Sequence, residues 1–173
     1  MKFFLLLASI VSLTPVVMAA TQPVPSECSA EVNAPLLKFL HERGSRSGSQ
    51  MNNVMVCGVA IASSYGIPKT ESESGSHQVT LIAVKTPEDK TVTIEVISSD
   101  DKVGLVHASG GDVVFAYGQA FVPSSDELRP GNFHPVLGIQ QTHCTNNSHL
   151  DDGWIMVNHT QFPTTPCPVR KHK

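Results

Sequence analysis

Between residues 53 and 158 the chain repeats short apolar runs that are separated by turn residues. The runs are rich in β-branched residues, several alternate apolar with polar positions, and Gly, Pro, Ser or Asp bounds them. Such runs predict β-strands, because successive side chains of a strand point to opposite faces of its sheet. The six predicted strands are residues 53–62, 77–84, 91–97, 112–121, 134–142 and 154–158.

Six short strands without long helical segments between them favour an antiparallel sandwich or barrel. One amphipathic helix is predicted ahead of them within residues 32–44, with Asn33 as its candidate cap and Gly44 just past its end. One or two helical turns are predicted within residues 100–109, between the third and fourth strands. That placement resembles the OB-fold, and Gly58 and Gly118 fit the bends that a small barrel requires. The sequence therefore predicts a mainly β, OB-like antiparallel barrel of five to six strands with one N-terminal helix.

The first 20 residues have the layout of a secretory signal peptide. Lys2 precedes an apolar run from Phe3 to Leu13, and small residues lead to a cleavage point after Ala19 or Ala20. We expect a secreted or periplasmic protein with no membrane span, whose remaining length suits one domain. The expected organisation is a signal peptide at 1–20, an N-terminal segment with the helix at 21–50, the barrel at 51–160 and a proline-rich tail at 161–173.

The four cysteines of the chain all lie after the predicted signal peptide. They are Cys28, Cys57, Cys144 and Cys167. An even count in an oxidising compartment predicts two disulfides, and all three connectivities are open. Zinc binding is the weaker alternative, because no two of these cysteines have the close spacing that is typical of zinc sites.

Charge disfavours nucleic acid as the ligand. Removing the leader with Lys2 changes the formal net charge from −3 to −4. In an OB-like barrel the ligand-binding loops would be residues 63–76 and 122–132, which carry more acidic than basic side chains and one aromatic residue, Tyr65. A groove for single-stranded nucleic acid needs basic charge and stacking rings. A protein, a peptide or a neutral sugar fits better.

The polar landmarks of the predicted strands occur in a distinctive order. They are Gly75-Ser76-His77-Gln78, Gly111-Asp112, His134, Thr142-His143, His149 and Gly153-Trp154. This order over residues 53–158 resembles an uncharacterised bacterial secreted or periplasmic family, a domain of unknown function with His-Gln, Gly-Asp, Thr-His, His and Gly-Trp landmarks. The chain departs from that pattern at residues 97–100, where the family has Ala-His-Asn, and at Gln141, where it has Trp. The resemblance implies an OB-like fold and marks residues, but it names no reaction.

Four of the eight histidines form a candidate metal or catalytic site. They are His77, His134, His143 and His149, with Asp112 or Glu95 as a carboxylate partner. Histidine is the commonest protein ligand for divalent metals and the usual general base near neutral pH. One objection comes from strand geometry, because His134 and His143 are nine residues apart and point to opposite faces of a regular strand. A bulge at Pro135 or Gly138 would remove that objection. The alternative is that these histidines are exposed or hydrogen-bonded structural residues.

Two Asn-x-Ser/Thr sites, at Asn146 and Asn158, predict glycosylation if the source is eukaryotic.

The function predicted from the sequence is that of a secreted, noncatalytic binding or interaction protein of unknown ligand. Its size and export would also suit a virulence factor secreted by a pathogen. The alternative prediction is a metal-dependent hydrolase that uses the four histidines with a divalent metal. Trp154 is predicted to lie in the core, and Asp151-Asp152-Gly153 to form the turn before it.

Overall fold

The computed structural model describes residues 23–43, 48–67, 75–123, 131 and 133–168. The predicted signal peptide at 1–20 and the last residues of the tail, 169–173, lie outside the described residues. Within the described part the elements are α1 (Ala30–Arg43), β1 (Gln50–Ala60), β2 (Tyr65–Ile67), β3 (His77–Lys85), β4 (Thr91–Ser99), α2 (Asp100–Val103), β5 (Val113–Phe121), β6 (Leu137–Gln140), β7 (Trp154–Val157) and β8 (Thr160–Phe162).

Five strands close into a barrel, which confirms the mainly β prediction. β1 pairs with β3, β3 with β4, β4 with β6, β6 with β5, and β5 with β1. The β4–β6 pair is parallel and the other four pairs are antiparallel. The three remaining strands lie outside this ring: β2 pairs with β3, β7 with β5, and β8 with β7.

The predicted fifth strand is longer than the observed β6. We predicted residues 134–142, whereas the structure has a strand only over Leu137–Gln140. Pro135 has no N–H to donate to a neighbouring strand, and Gln141 has a positive φ of 59°. The bulge lies elsewhere, in β1, where the pairing with β5 shifts register between Met51 and Val54.

Two glycines predicted to bend the barrel lie where neighbouring strands approach closely. A Cβ atom at Gly58 would collide with the carbonyl oxygen of Ala83, and one at Gly118 would collide with that of Gln140. Any larger residue at these positions would force the strands apart.

Alternate side chains of the barrel strands fill its interior. Buried residues such as Val56, Ile82, Ile94 and Ile139 belong to one cluster, which also includes Leu36 from α1. A second, smaller cluster lies on the outer face of the barrel. It comprises Cys57, Phe115, Tyr117, Trp154 and Met156, with Val24, Val32 and Met55 packed against it. We call these eight residues the outer cluster. The prediction that Trp154 is a core residue is confirmed, since only 2% of it is exposed.

Asn33 was wrongly predicted to cap the first helix, which begins at Ala30. Asn33 lies inside that helix, is buried, and accepts a hydrogen bond through Oδ1 from the backbone N–H of Cys57 at 2.8 Å. β1 pairs with β3 only at Val59 and Ala60, so this edge of Cys57 has no strand partner. The asparagine supplies the acceptor that a strand would otherwise provide. The predicted helical turn after the third barrel strand is confirmed as α2.

Candidate functional site

Two of the four candidate histidines lie at neighbouring strand ends. His77 opens β3 and pairs across the ladder with Ser99, the last residue of β4. α2 follows Ser99 directly and carries Lys102. His143 comes three residues after β6 and contacts Lys102. We call His77, Ser99, Lys102 and His143 the strand-end cluster.

Both ring nitrogens of His143 are engaged in hydrogen bonds. Nδ1 lies 2.7 Å from the carbonyl oxygen of Cys144, to which it donates, because a carbonyl oxygen can only accept. Nε2 lies 3.2 Å from Nζ of Lys102 and accepts from that ammonium group. These partners assign the neutral tautomer with the proton on Nδ1. A metal ion at Nε2 would have to displace Lys102.

Burial lowers the pKa of His143 below its ordinary value of 6.5. The hydrogen bond to the Cys144 carbonyl opposes that shift, the Coulombic influences of Lys102 and His77 add to it, and that of Asp152 opposes it. Since 6% of His143 is exposed, solvent does little to stabilise its charged form. The imidazole is therefore held neutral as an acceptor for Lys102.

The lowered pKa of His143 predicts that stability falls on mild acidification. Below the unfolded-state pKa the unfolded chain binds more protons than the folded chain. The contribution of neutral His143 to the free energy of unfolding is thus complete above about pH 6.5 and is lost as the pH falls through the lowered pKa. The free energy of unfolding then changes by at most about 1.4 kcal/mol per pH unit. We expect His143→Gln, whose amide does not titrate, to flatten the dependence of the unfolding free energy on pH between about 7.5 and about 5.5. Denaturant titrations at a series of pH values measure the dependence of the unfolding free energy on pH.

The matched control for this prediction is His134→Gln, because His134 is exposed. It should leave the dependence on pH as in the parent protein. Equal slopes in the parent and in His143→Gln would show that His143 is not the group responsible.

The other two candidate histidines lie away from the strand-end cluster. His134 is exposed and precedes β6, whereas His143 follows β6, so the two lie beyond opposite ends of that strand. His149 is exposed in a loop, where its backbone N–H donates to Oδ1 of Asn147 at 2.9 Å. No group of three or more His, Cys, Asp or Glu within the described ranges has a geometry that could hold a metal ion. The structure brings together His77 and His143 but not the full set.

The two candidate carboxylates also lie apart from one another. Asp112 precedes β5, and its Oδ2 accepts from the backbone N–H of Ser109 at 2.7 Å while Oδ1 accepts from Asn158 Nδ2 at 2.7 Å. These hydrogen bonds lower the pKa of Asp112, the Ser109 bond most. Glu95 is fully buried on β4, in register with Leu81 of β3. Asp112 is thus engaged in holding the turn before β5.

All four cysteines are in disulfides, which confirms the predicted count. The pairs, which the sequence left open, are Cys28–Cys57 and Cys144–Cys167. Two disulfides are typical of proteins in an oxidising compartment outside the cytosol. No helix in the described part of the chain is long and apolar enough to cross a bilayer.

The two predicted glycosylation sites differ in what their side chains do. Asn146 is exposed. The side chain of Asn158 accepts from Val113 N–H at 3.0 Å and donates to Asp112. A glycan on Asn158 would replace one of the hydrogens on the amide nitrogen that serves Asp112.

The sequence interpretation missed several residues that shape the surface. Lys102 was not singled out, although its place in the helical turn predicted after the third strand was a usable signal. Tyr117 was also missed. Its hydroxyl donates to Asp151 Oδ2 at 2.7 Å, and its ring stacks on Trp154 with ring centroids 6.1 Å apart. Burial raises the pKa of Tyr117 most, and the hydrogen bond to Asp151 raises it further. A third omission is the pair Val59 and Val113, which are 44% and 40% exposed. Only strand register, which the sequence does not state, brings those valines together.

The described surface includes two concave regions of different chemical character. The first, which we call the outer groove, has a volume of about 460 Å³ and is lined by residues that include Cys28, Val59, Ala83, Val113, Phe115 and Met156. The second, which we call the polar recess, has a volume of about 290 Å³ and is lined by residues that include Ser64, Tyr65, Gln78, Asp100, Leu105 and His107.

The resemblance to the uncharacterised bacterial family remains a prediction. No protein-family model, curated protein or solved structure matches the chain.

Proposed function

We propose that the protein is an exported, noncatalytic binding protein built on an OB-like barrel, and that it binds an extended peptide segment of a partner protein in the outer groove. The order of strand pairing supports the OB-like assignment. Three strands meander as β1, β3 and β4, α2 follows the third, and β5 and β6 close the ring. The two disulfides and the apolar run at the start of the sequence support export.

The observation that carries the proposal is a row of apolar side chains left open on three adjacent strands. Val59 pairs with Ala83 of β3 on one side and with Val113 of β5 on the other. Both valines are exposed at about the same fraction, 44% and 40%. Single exposed valines are ordinary, whereas two side by side along a groove provide a surface for an apolar partner.

The outer groove has a preformed apolar floor and wall. Phe115 of β5 pairs with Met156 of β7, and both side chains line the groove beside the exposed valines. The opposite wall is the segment ahead of α1, which the Cys28–Cys57 disulfide fixes to β1. A groove that is already formed binds its partner with a smaller loss of conformational freedom.

The rim of the outer groove is polar and carries charges of both signs. Glu27, Lys85, Asn158 and His159 are exposed and line it. Recognition grooves for extended peptides combine pockets for apolar side chains with polar groups that bind the peptide backbone. We infer that the partner segment inserts one aliphatic or aromatic side chain over Val59 and Val113.

The geometry of the histidines gives less support to the metal-dependent hydrolase. Lys102 and the Cys144 carbonyl engage both nitrogens of His143. His134 and His149 lie elsewhere on the surface.

Selection of peptides tests the proposed function. A random peptide library displayed on phage should, when selected on the disulfide-intact protein, enrich sequences that share one large apolar residue. We expect Val113→Glu to weaken the binding of the selected peptides at least about tenfold in fluorescence anisotropy, because it places a charge on the apolar floor.

Val136→Glu is the matched control for the peptide experiment. Val136 is 36% exposed and lies on the β4 side of the barrel, where its N–H donates to the Thr93 carbonyl. It should bind the peptides as the parent does. Selected peptides that bind Val113→Glu and the parent equally would refute the outer groove as the binding surface.

A further inference from the structure

The segment ahead of α1 forms one wall of the outer groove. Residues 26–29 line the groove together with Val59 of β1, Val113 of β5 and Met156 of β7. We call residues 23–29 the N-terminal wall. The shape of the outer groove depends on where this wall lies, because the other lining residues are held in the sheet.

Few noncovalent contacts hold the N-terminal wall against the barrel. Pro23 and Pro25 have no N–H to donate. Within the described part of the chain, no backbone hydrogen bond joins residues 23–29 to a barrel strand. Val24 packs on the outer cluster, and the Cys28–Cys57 bond joins the wall covalently to β1. The disulfide is therefore the main attachment of the wall.

The helix α1 has attachments of its own that do not depend on this disulfide. Leu36 and Phe39 belong to the main buried cluster of the barrel. Asn33 Oδ1 accepts a hydrogen bond from the Cys57 backbone N–H at 2.8 Å. Opening the disulfide would therefore free the N-terminal wall and leave α1 on the barrel.

The four cysteines differ in how accessible they are to a reagent in solution. Cys28 is exposed and lines the outer groove, whereas Cys57 is fully buried. Cys144 and Cys167 are only partly exposed. A thiolate must reach the sulfur that it attacks, so exchange at the first disulfide proceeds through Cys28 and not through Cys57. Cys28 is the most accessible point of attack among the four.

We propose that Cys28 is a thiol-exchange site, and that attack by a small thiol such as glutathione releases the N-terminal wall and weakens peptide binding in the outer groove. The thiolate forms a new S–S bond with Cys28 while the bond to Cys57 breaks, and the Cys57 sulfur leaves as a thiolate that takes up a proton. A second small thiol then attacks the mixed disulfide. It leaves with the first as their disulfide, and Cys28 becomes a thiol. Two electrons pass in total from the two small thiols to the two cysteines.

Release of the wall weakens peptide binding because the groove is then no longer preformed. A partner segment would have to order residues 23–29 as it binds, and that ordering costs conformational entropy. The bond stays closed in an oxidising compartment and opens where small thiols are abundant. This regulation rests on the proposed function, whereas the exchange at Cys28 does not.

Mass spectrometry identifies the sulfur that a small thiol attacks. The full disulfide-intact protein is incubated with glutathione under native conditions, quenched in acid, alkylated in denaturant and digested. We expect glutathione on Cys28 and alkylation of Cys57. The Cys144–Cys167 bond is the internal control and should open at least about tenfold more slowly, because its sulfurs are less accessible. Equal rates for the two disulfides, or mixed disulfides that form first at Cys144 or Cys167, would overturn the proposal.

Heteronuclear ¹H–¹⁵N NOE values measure the release of the wall, since they report backbone motion on the ps–ns timescale. They are recorded at the glutathione concentration at which mass spectrometry finds only Cys28–Cys57 open. We expect the values of residues 26–29 to fall and those of Leu36 and Phe39 to stay as in the oxidised protein. Unchanged values at residues 26–29 would contradict the release, and an equal fall in α1 would show that the disulfide holds more than the wall.

Fluorescence anisotropy with peptides selected on the oxidised protein measures the effect on the outer groove. Glutathione should weaken their binding to the parent at least about fivefold. The double variant Cys144→Ala and Cys167→Ala, which keeps only the first disulfide, should show the same loss. The double variant Cys28→Ala and Cys57→Ala should bind weakly from the start and should not respond to glutathione. Affinity that stays unchanged when Cys28–Cys57 opens would overturn the proposed regulation.

Failure of this proposal is distinguishable from failure of the proposed function. If no peptide binds the oxidised protein, the proposed function fails, and the regulation fails with it. The mass spectra and the NOE values would still decide whether Cys28 is the exchange site that releases the wall. If peptides bind the oxidised protein and glutathione does not weaken them, the outer groove remains the binding surface and only the regulation is refuted.

Discussion

Trp154→Ala is expected to lower the free energy of unfolding by about 3–5 kcal/mol, the largest effect of a single substitution that we predict. Trp154 opens β7, is 2% exposed, and is the largest of the fully buried side chains. Its indole stacks on Tyr117 and holds the outer cluster together. Alanine would leave a cavity between β5 and β7 that the hydrogen-bonded strands have little freedom to fill.

Equilibrium unfolding in guanidinium chloride, followed by circular dichroism, measures the Trp154 effect. Trp154→Phe is the graded control: it keeps an aromatic ring for Tyr117 and should cost clearly less than alanine. Leu105→Ala, at a side chain that is 60% exposed, should change stability by less than about 0.5 kcal/mol. A loss of under about 1 kcal/mol for Trp154→Ala would mean that the outer cluster does not support the barrel.

Removing the Cys28–Cys57 disulfide with the double substitution Cys28→Ala and Cys57→Ala is expected to cost about 3–4 kcal/mol. The crosslink spans 29 residues, and loop-closure entropy for that length gives a value in this range. The bond also fixes the segment ahead of α1, from which Val24 packs on the outer cluster. We therefore expect that segment to lose protection against amide hydrogen exchange.

The second disulfide provides the matched control. Cys144–Cys167 spans 23 residues, so its removal by Cys144→Ala and Cys167→Ala should cost nearly the same loop-closure entropy. That variant should leave hydrogen exchange in the segment ahead of α1 unchanged. Equal exchange of that segment in the two double variants would contradict the role that we assign to Cys28–Cys57.

The strand pattern predicted most of the fold because each long strand has its own local signal. All five barrel strands and β7 fall on predicted runs, and the closed ring agrees with the barrel expectation. β2 and β8 were missed, since three residues are too few for alternation to be detected. Residues 134–136 and 141–142 were wrongly assigned to the fifth strand, because Pro135 has no N–H to donate to a neighbouring strand and Gln141 has a positive φ.

The candidate site was less predictable because it depends on register and on connections between distant residues. His77 and His143 are far apart in sequence, and they lie at the same end of the barrel because β3 begins beside the end of β4, which runs parallel to β6. Val59 and Val113 likewise become neighbours through the β1–β5 register. Disulfide pairing also depends on residues that are distant in sequence, because the number of cysteines predicts how many disulfides form but not which cysteines pair.

The three-residue strand β8 also bears on how copies of this protein behave at high concentration. β8 is paired with β7 on one side, and Pro163, which follows it, has no N–H to offer another strand. A sheet margin that is this short and ends in proline is a poor template for the addition of a second chain. Pro163, which begins the segment that leads from β8 to Cys167, therefore also disfavours edge-to-edge aggregation through β8.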